Sequence, residues 1–336
     1  MGVGLRDRVA GAVYGLALGD AMGMPPELWS RARARAFFGG GISDLLDGPQ
    51  CSEVARNYKR GQFTDDTAQA LIIVDSLAST GFVPDARDVA RRLVEWADGI
   101  DAWNNGILGP TSKVALANFK SGVEDRSHTD TALSNGSAMR IPPVGCLFTP
   151  DRKKELARFV FEVSRVTHTS NVTVAGAAMV AGAVSSALVN DDFERVVEDA
   201  LDMEPLGWDL GFDHFSPRLA DRTRLALRVA RKYAGDDEMF SRKVYDVVGT
   251  GVGIIEAVPA ALAIAYYTRE PNRAALMCAN VGGDTDTIGA MATAICGAFR
   301  GASAIREDFR ATLAAQNGVD FEAYVDVLLR GREVLA

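Results

Sequence analysis

Apolar residues recur every three or four positions along most of this chain. In the stretch GQFTDDTAQALIIVDSLA, Gly61 to Ala78, the residues Thr67, Ala70, Leu71, Val74, Leu77 and Ala78 fall on one stripe, the spacing of a helix that buries one face. The same spacing predicts further helices near residues 5–18, 85–98, 111–119, 152–166, 172–189, 192–202, 217–234, 252–268, 271–279, 287–299, 303–315 and 320–333. Alternating runs of the strand type are nearly absent, and no Pro/Ser-rich linker or break in composition divides the chain. The expectation is an all-α fold, one compact helical domain over residues 1–336 with a buried centre.

Glycine-rich stretches read as turns between these helices: GDAMGMPPE (Gly19–Glu27), SNGSAMRIPPVG (Ser134–Gly145), VVGTGVG (Val247–Gly253) and NVGGDTDT (Asn280–Thr287). Each could present backbone N–H groups at a helix N-terminus. One helical stretch, VTVAGAAMVAGAVSSALV from Val172 to Val189, carries no charge and is near the lower length limit for crossing a bilayer. It is built largely of Ala, Gly, Ser and Val, lacks a Trp/Tyr belt and is followed at once by Asp191 and Asp192. A buried helix of a soluble protein is therefore expected, its small residues allowing close contacts.

With 336 residues, 48% hydrophobic and 24% charged, the chain has the composition of an ordinary globular protein. Its formal net charge of −8 argues against a nucleic-acid surface, which needs clustered Lys and Arg. Any anionic ligand must then be held by local groups such as backbone amides or metal ions. The four cysteines, Cys51, Cys146, Cys278 and Cys296, lie far apart, which suggests neither a zinc knuckle nor a disulfide framework and fits a reducing cytoplasm. Arg6, Asp7 and Arg8 precede the first apolar run, unlike a signal peptide.

Two turns carry the candidate chemistry. FTDDT sets Thr64, Asp65 and Asp66 where a helix begins, and GGDTDT sets Asp284, Asp286 and Thr287 before a second stripe of Ile288, Met291, Ala292, Ile295 and Phe299. Two readings stand. Thr and Asp at a helix start cap free N–H groups and complement the helix dipole. Alternatively, carboxylate and hydroxyl oxygens in a chain with only three histidines suit hard divalent ions such as Mg²⁺ or Mn²⁺. If the two turns converge, four close carboxylates repel strongly and a cation is almost required.

The order of GLALGDAMGMPPE, FTDDT, SNGSAMR, THTSN and GGDTDT resembles the ADP-ribosylglycohydrolase family over roughly residues 8–300. The resemblance implies an all-α orthogonal helical fold with a dinuclear Mg²⁺ or Mn²⁺ centre in a central cleft. It implies metal ligands at Thr64, Asp65, Asp66, Asp284, Asp286 and Thr287, with Asp65 and Asp286 central to catalysis and Glu27 a candidate acid/base or substrate-orienting group. Substrate contacts would come from Asn135, Gly136, Ser137 and Met139 of the SNGSAMR loop, from His168 and from Val252 near the adenine. Arg140 could act on the anion or brace that loop, and Asp20 is expected to be structural.

The activity so implied is metal-dependent cleavage of the ribosyl bond of an ADP-ribosylated protein or a small ADP-ribosyl conjugate. The rivals are a nucleoside or nucleotide N-glycosidase and a non-catalytic homologue that binds ADP-ribose, although a mere binder should lack a complete ligand set. Where several family members carry an acidic residue before a Gly-x-Thr-Thr turn, this chain reads NNGILGPTS, with Ile107 or Leu108 at that place. That departure implies a leaving-group side unlike that of the arginine-specific members.

Overall fold

The computed structural model describes residues 3–336, and among them there is no strand, only three isolated bridges. Helices follow one another from Leu5–Gly23 to Phe321–Val334, as the three-to-four spacing predicts. Their buried apolar residues form one main cluster running from Val9 to Leu328. The uncharged stretch is the Asn171–Ala187 helix, all 17 of whose residues are buried. No helix of the described residues is long and apolar enough to cross a membrane.

The first helix, Leu5–Gly23, runs through GDAMG, which the sequence pattern assigns to a turn. Its glycines serve packing instead. Gly11, Gly15, Gly19 and Gly23 stand every four residues along the face against the Thr285–Arg300 helix, and a Cβ on Gly19 would lie 1.9 Å from the Gly289 carbonyl oxygen. A Cβ on Gly23 would come 2.3 Å from the Thr285 carbonyl oxygen. Only a glycine stripe allows two backbones this close, and the approach brings Asp20 beside the start of the Thr285 helix.

The spacing misses the seven-residue helices Arg31–Phe37 and Asp237–Lys243, because two turns give no period to detect. Caps were the available signal: Ser30 accepts from the Arg33 amide and Asp236 from the Met239 amide.

Candidate metal centre and the cleft beside it

The Asp65–Ser79 helix begins at FTDDT, yet the Thr64 side chain makes no capping bond. The cap comes from another helix. Asp20, fully buried, accepts from the Thr64 amide at 2.9 Å, the Thr67 amide at 3.0 Å and the Thr67 hydroxyl at 2.6 Å. This releases Asp65 and Asp66 from capping. The Thr285 helix repeats the situation, since its flanking residue Asp284 makes no side-chain capping bond and Thr285 donates its hydroxyl to the Gly23 carbonyl at 2.7 Å. Positive φ values of 87° and 86° at Gly282 and Gly283 let the chain turn into this helix.

The two acidic turns converge. One carboxylate oxygen each from Asp20, Asp66 and Asp286 lie within 4.8 Å of one another, as do one each from Glu27, Asp284 and Asp286. Asp286 belongs to both groups. Glu27 is held there because its loop pairs with the GGDTDT turn: the Leu28 amide donates to the Gly283 carbonyl and the Gly283 amide to the Trp29 carbonyl, both at 2.8 Å. GTGVG acts in the same way, its Thr250 carbonyl accepting from the Asp284 amide at 2.7 Å. Thr64 donates to Asp66 at 3.1 Å, and Thr287 is buried beside Asp66 and Asp284.

Crowding these acids away from water raises them all. Burial first, then Asp284 and Asp65, pushes the half-buried Glu27 up to about 8. Burial and the charge of Asp20 push Asp65 up to about 7. Burial outweighs the Thr67 and Thr64 hydrogen bonds on Asp20, which rises to about 6. Asp66 and Asp286 lie well above the carboxylate range, and Asp284 is also raised, each chiefly by burial. Asp66 Oδ1 and Asp286 Oδ1 are buried with no hydrogen-bond partner. Orphaned buried oxygens are costly, and a cluster of them with oxygen donors alone fits hard divalent cations.

Asp65 belongs to neither group of three; it is half-buried and accepts from Gln69 Nε2 at 2.8 Å. Behind Gln69 stands Arg140, which donates to Gln69 Oε1 at 2.8 Å and to Thr167 Oγ1 at 2.6 Å. Arg140 is thus a brace within the protein. On the SNGSAMR side, Asn135 Nδ2 donates to Asp284 Oδ2 at 2.5 Å, and Ser137 gives its hydroxyl to the Thr173 carbonyl at 3.0 Å. Ser137 therefore has its backbone amide, not its hydroxyl, left for a ligand. Met139 is buried beneath this loop, whereas Val252 is half-exposed and its carbonyl accepts from the Asn135 amide.

His168 lies under Gly136, where a Cβ would come 2.8 Å from the ring. Because Arg140 donates to the Thr167 oxygen, the Thr167 hydroxyl proton is free to point at His168 Nδ1, 2.7 Å away. In that arrangement the ring proton is on Nε2, which lies 2.8 Å from Ser134 Oγ; the opposite tautomer would have Nδ1 donate to Thr167. Burial, followed by the charge of Arg140, drives His168 down to about 3, so the ring is neutral.

A cleft of about 520 Å³ opens on Thr64 and Asp65 and shares no residue with the Ser134–Arg140 loop or His168. Ile107 lines it, while Leu108 is buried. Tyr58 in its wall is held protonated by burial, Asp65 and Asp20. Sequence reasoning missed Tyr58, Gln69, Thr167 and Ser134. The four-residue step from Asp65 to Gln69 on one helix was the only local signal among them.

Comparison with known proteins follows the same lines. The family model described as ADP-ribosylglycohydrolase matches residues 1–335. The uncharacterized protein YegU of Escherichia coli (strain K12) is 41% identical over 97% of this chain and 98% of its own length. The ADP-ribosyl-[dinitrogen reductase] glycohydrolase of Rhodospirillum rubrum is 24% identical over 98% of this chain and 97% of its own. A solved structure described as an ADP-ribosylglycohydrolase-related protein complex superposes with a TM-score of 0.69 at 25% identity, covering 98% of this chain and 99% of that one.

Proposed function

The chain belongs to the ADP-ribosylglycohydrolase family, hydrolases of glycosidic ADP-ribose bonds, and from that premise we propose that it uses two divalent cations, Mg²⁺ or Mn²⁺, to cut the ribosyl bond of an ADP-ribosylated protein or small conjugate in the cytoplasm. The observation that carries the reading is the convergence of Asp20, Asp66, Asp284, Asp286 and Glu27 with two orphaned buried oxygens. Asp66, Asp284 and Asp286, with Thr64 and Thr287, would hold the cations, and Asp65 stands beside them under the grip of Gln69. The bound ions would supply positive charge that fixes the hydroxyls of the distal ribose and makes water more acidic.

The chain's own residues do the rest. Backbone amides of Gly136 and Ser137 face the diphosphate, and the neutral His168 fixes Ser134 through its Nε2 proton. Ser134, accepting that proton, has its own hydroxyl hydrogen free to donate to an anion. Asn135 joins this loop to the centre through Asp284. Glu27, raised to about 8 by burial, Asp284 and Asp65, is placed to hold and release a proton at the bond being cut. Val252 flanks the adenine side.

The test is incubation with ADP-ribosylated arginine, serine and nucleic-acid ends and with free O-acetyl-ADP-ribose, with and without Mg²⁺ or Mn²⁺. Cation-dependent release of ADP-ribose from at least one conjugate is expected. Absence of release from all of them, and from an ADP-ribosyl–nucleobase conjugate, by cation-loaded protein removes the reading. A nucleoside or nucleotide N-glycosidase is the second reading, favoured by the uncharged Ile107 in the cleft beyond Asp65.

A further inference from the structure

We propose that the leaving group is an uncharged, planar nitrogen heterocycle of nucleobase type, seated in the cleft beyond Asp65, and not a guanidinium. This rests on the hydrolase reading of the same centre. With the diphosphate on the Asn135 and His168 side, the group to be released lies on the other side of the cations, where the cleft of about 520 Å³ begins at Thr64 and Asp65. That volume lies within the range of small-molecule sites, roughly 300–1,000 Å³.

The chemistry of the wall selects the occupant. Trp96, Tyr58 and Phe63 line it and are each half-buried, giving aromatic faces and edges on which a flat ring can stack. Asn57 and Gln316 add exposed amides at its edge, and an amide offers both a donor and an acceptor.

What the wall lacks is a buried carboxylate free of other ties. A guanidinium withdrawn from water needs a carboxylate to take its fork of N–H groups. Besides Asp65, the charged residues lining the cleft are Glu53 and Arg56, which are both exposed and opposite in sign. Asp65 is tied to Gln69 and borders the cation centre. From the 100–107 segment the wall takes Ile100, Asn104, Asn105 and Ile107, none of them charged.

The experiment has a binding arm and a turnover arm, both on cation-loaded full-length protein. Calorimetry, with ADP-ribose present, compares uracil and hypoxanthine with N-acetylarginine amide; turnover compares an ADP-ribosyl–hypoxanthine conjugate with an ADP-ribosylated arginine peptide. The bases should bind at least about tenfold more tightly than the arginine amide, and their conjugate should show the higher kcat/KM. Trp96→Leu, which keeps an apolar filler, should lose about tenfold in base binding, and Ile107→Asp should shift the preference about tenfold towards arginine. Tighter binding of the arginine amide by the wild type, or unchanged base binding in folded Trp96→Leu, overturns the proposal. ADP-ribose itself failing to bind would count against the hydrolase reading, a result distinguishable from a wrong preference between leaving groups.

Discussion

Asp20 caps a helix it does not belong to: from inside the first helix its Oδ2 accepts both the amide and the hydroxyl of Thr67, at 3.0 and 2.6 Å. Helix N-termini normally take such bonds from their own preceding residue. Here Thr64 is relieved of that task, the carboxylate of Asp66 joins Asp20 and Asp286, and Asp65 accepts from Gln69. The doublet in FTDDT is therefore not a cap.

Asp20→Asn should destabilise the cation-loaded protein by about 2 kcal/mol. An asparagine can keep the bond from Thr64, but its amide would confront the Thr67 N–H, donor against donor. Urea denaturation at pH 7.5 measures this; a change under about 0.5 kcal/mol would mean that the Asp20–Thr67 bonds carry no stability.

Removing divalent ions should abolish turnover and lower Tm by about 5 °C, taking cations at a hundredfold over their Kd as worth about 2.7 kcal/mol. Differential scanning calorimetry before and after EDTA dialysis, with readdition of Mg²⁺ or Mn²⁺, reads both the loss and its recovery. An unaltered Tm after verified ion removal is incompatible with the proposed centre.

Asp286→Asn keeps the shape of a residue common to both groups of three while deleting its charge, and turnover should fall at least about a hundredfold. Asp65→Asn should do much the same. The double variant should lose less than the product of the two, because both act through one centre. Losses that multiply would show two independent sites; ADP-ribose binding by calorimetry should persist in each.

The neutral His168 makes a pH prediction. Its folded-state value of about 3 lies below the unfolded value of about 6.5, so its contribution is present above 6.5 and is lost as pH falls towards 3. Each unit within that window costs at most about 1.4 kcal/mol. The group's facing charge is Arg140, and Ser134 and Thr167 hold its two nitrogens. The stability difference between wild type and His168→Asn, followed by urea denaturation, should shrink from pH 7 to pH 4; a constant difference would show that His168 titrates normally.

Gly136→Val should weaken ADP-ribose binding at least about tenfold. Its branched side chain would strike the His168 ring, since even a Cβ comes within 2.8 Å, and would also cover the amides proposed to bind the diphosphate. Calorimetric titration of the folded variant with wild-type affinity would remove this loop from the ligand.

The helical character of the chain was legible in the sequence because a period of three to four residues is a local property, and so were the two acidic turns, whose residues are contiguous. Even the buried Asn171–Ala187 helix could be read, since absence of charge over 18 positions is itself local. The sequence could not decide between cap and cation site at FTDDT. That depended on Asp20, 44 positions before Thr64, brought within reach by glycines that let the first helix touch the Thr285 helix backbone to backbone. The glycines of GDAMG read as a turn for the same reason: a glycine's lack of side chain looks identical in sequence whether it frees φ or admits a neighbour. Gln69, Arg140, Tyr58 and Ser134 acquired their roles only when distant helices and loops set them around Asp65 and His168, because a hydrogen bond or a cleft wall belongs to the packed chain and has no spacing of its own along it.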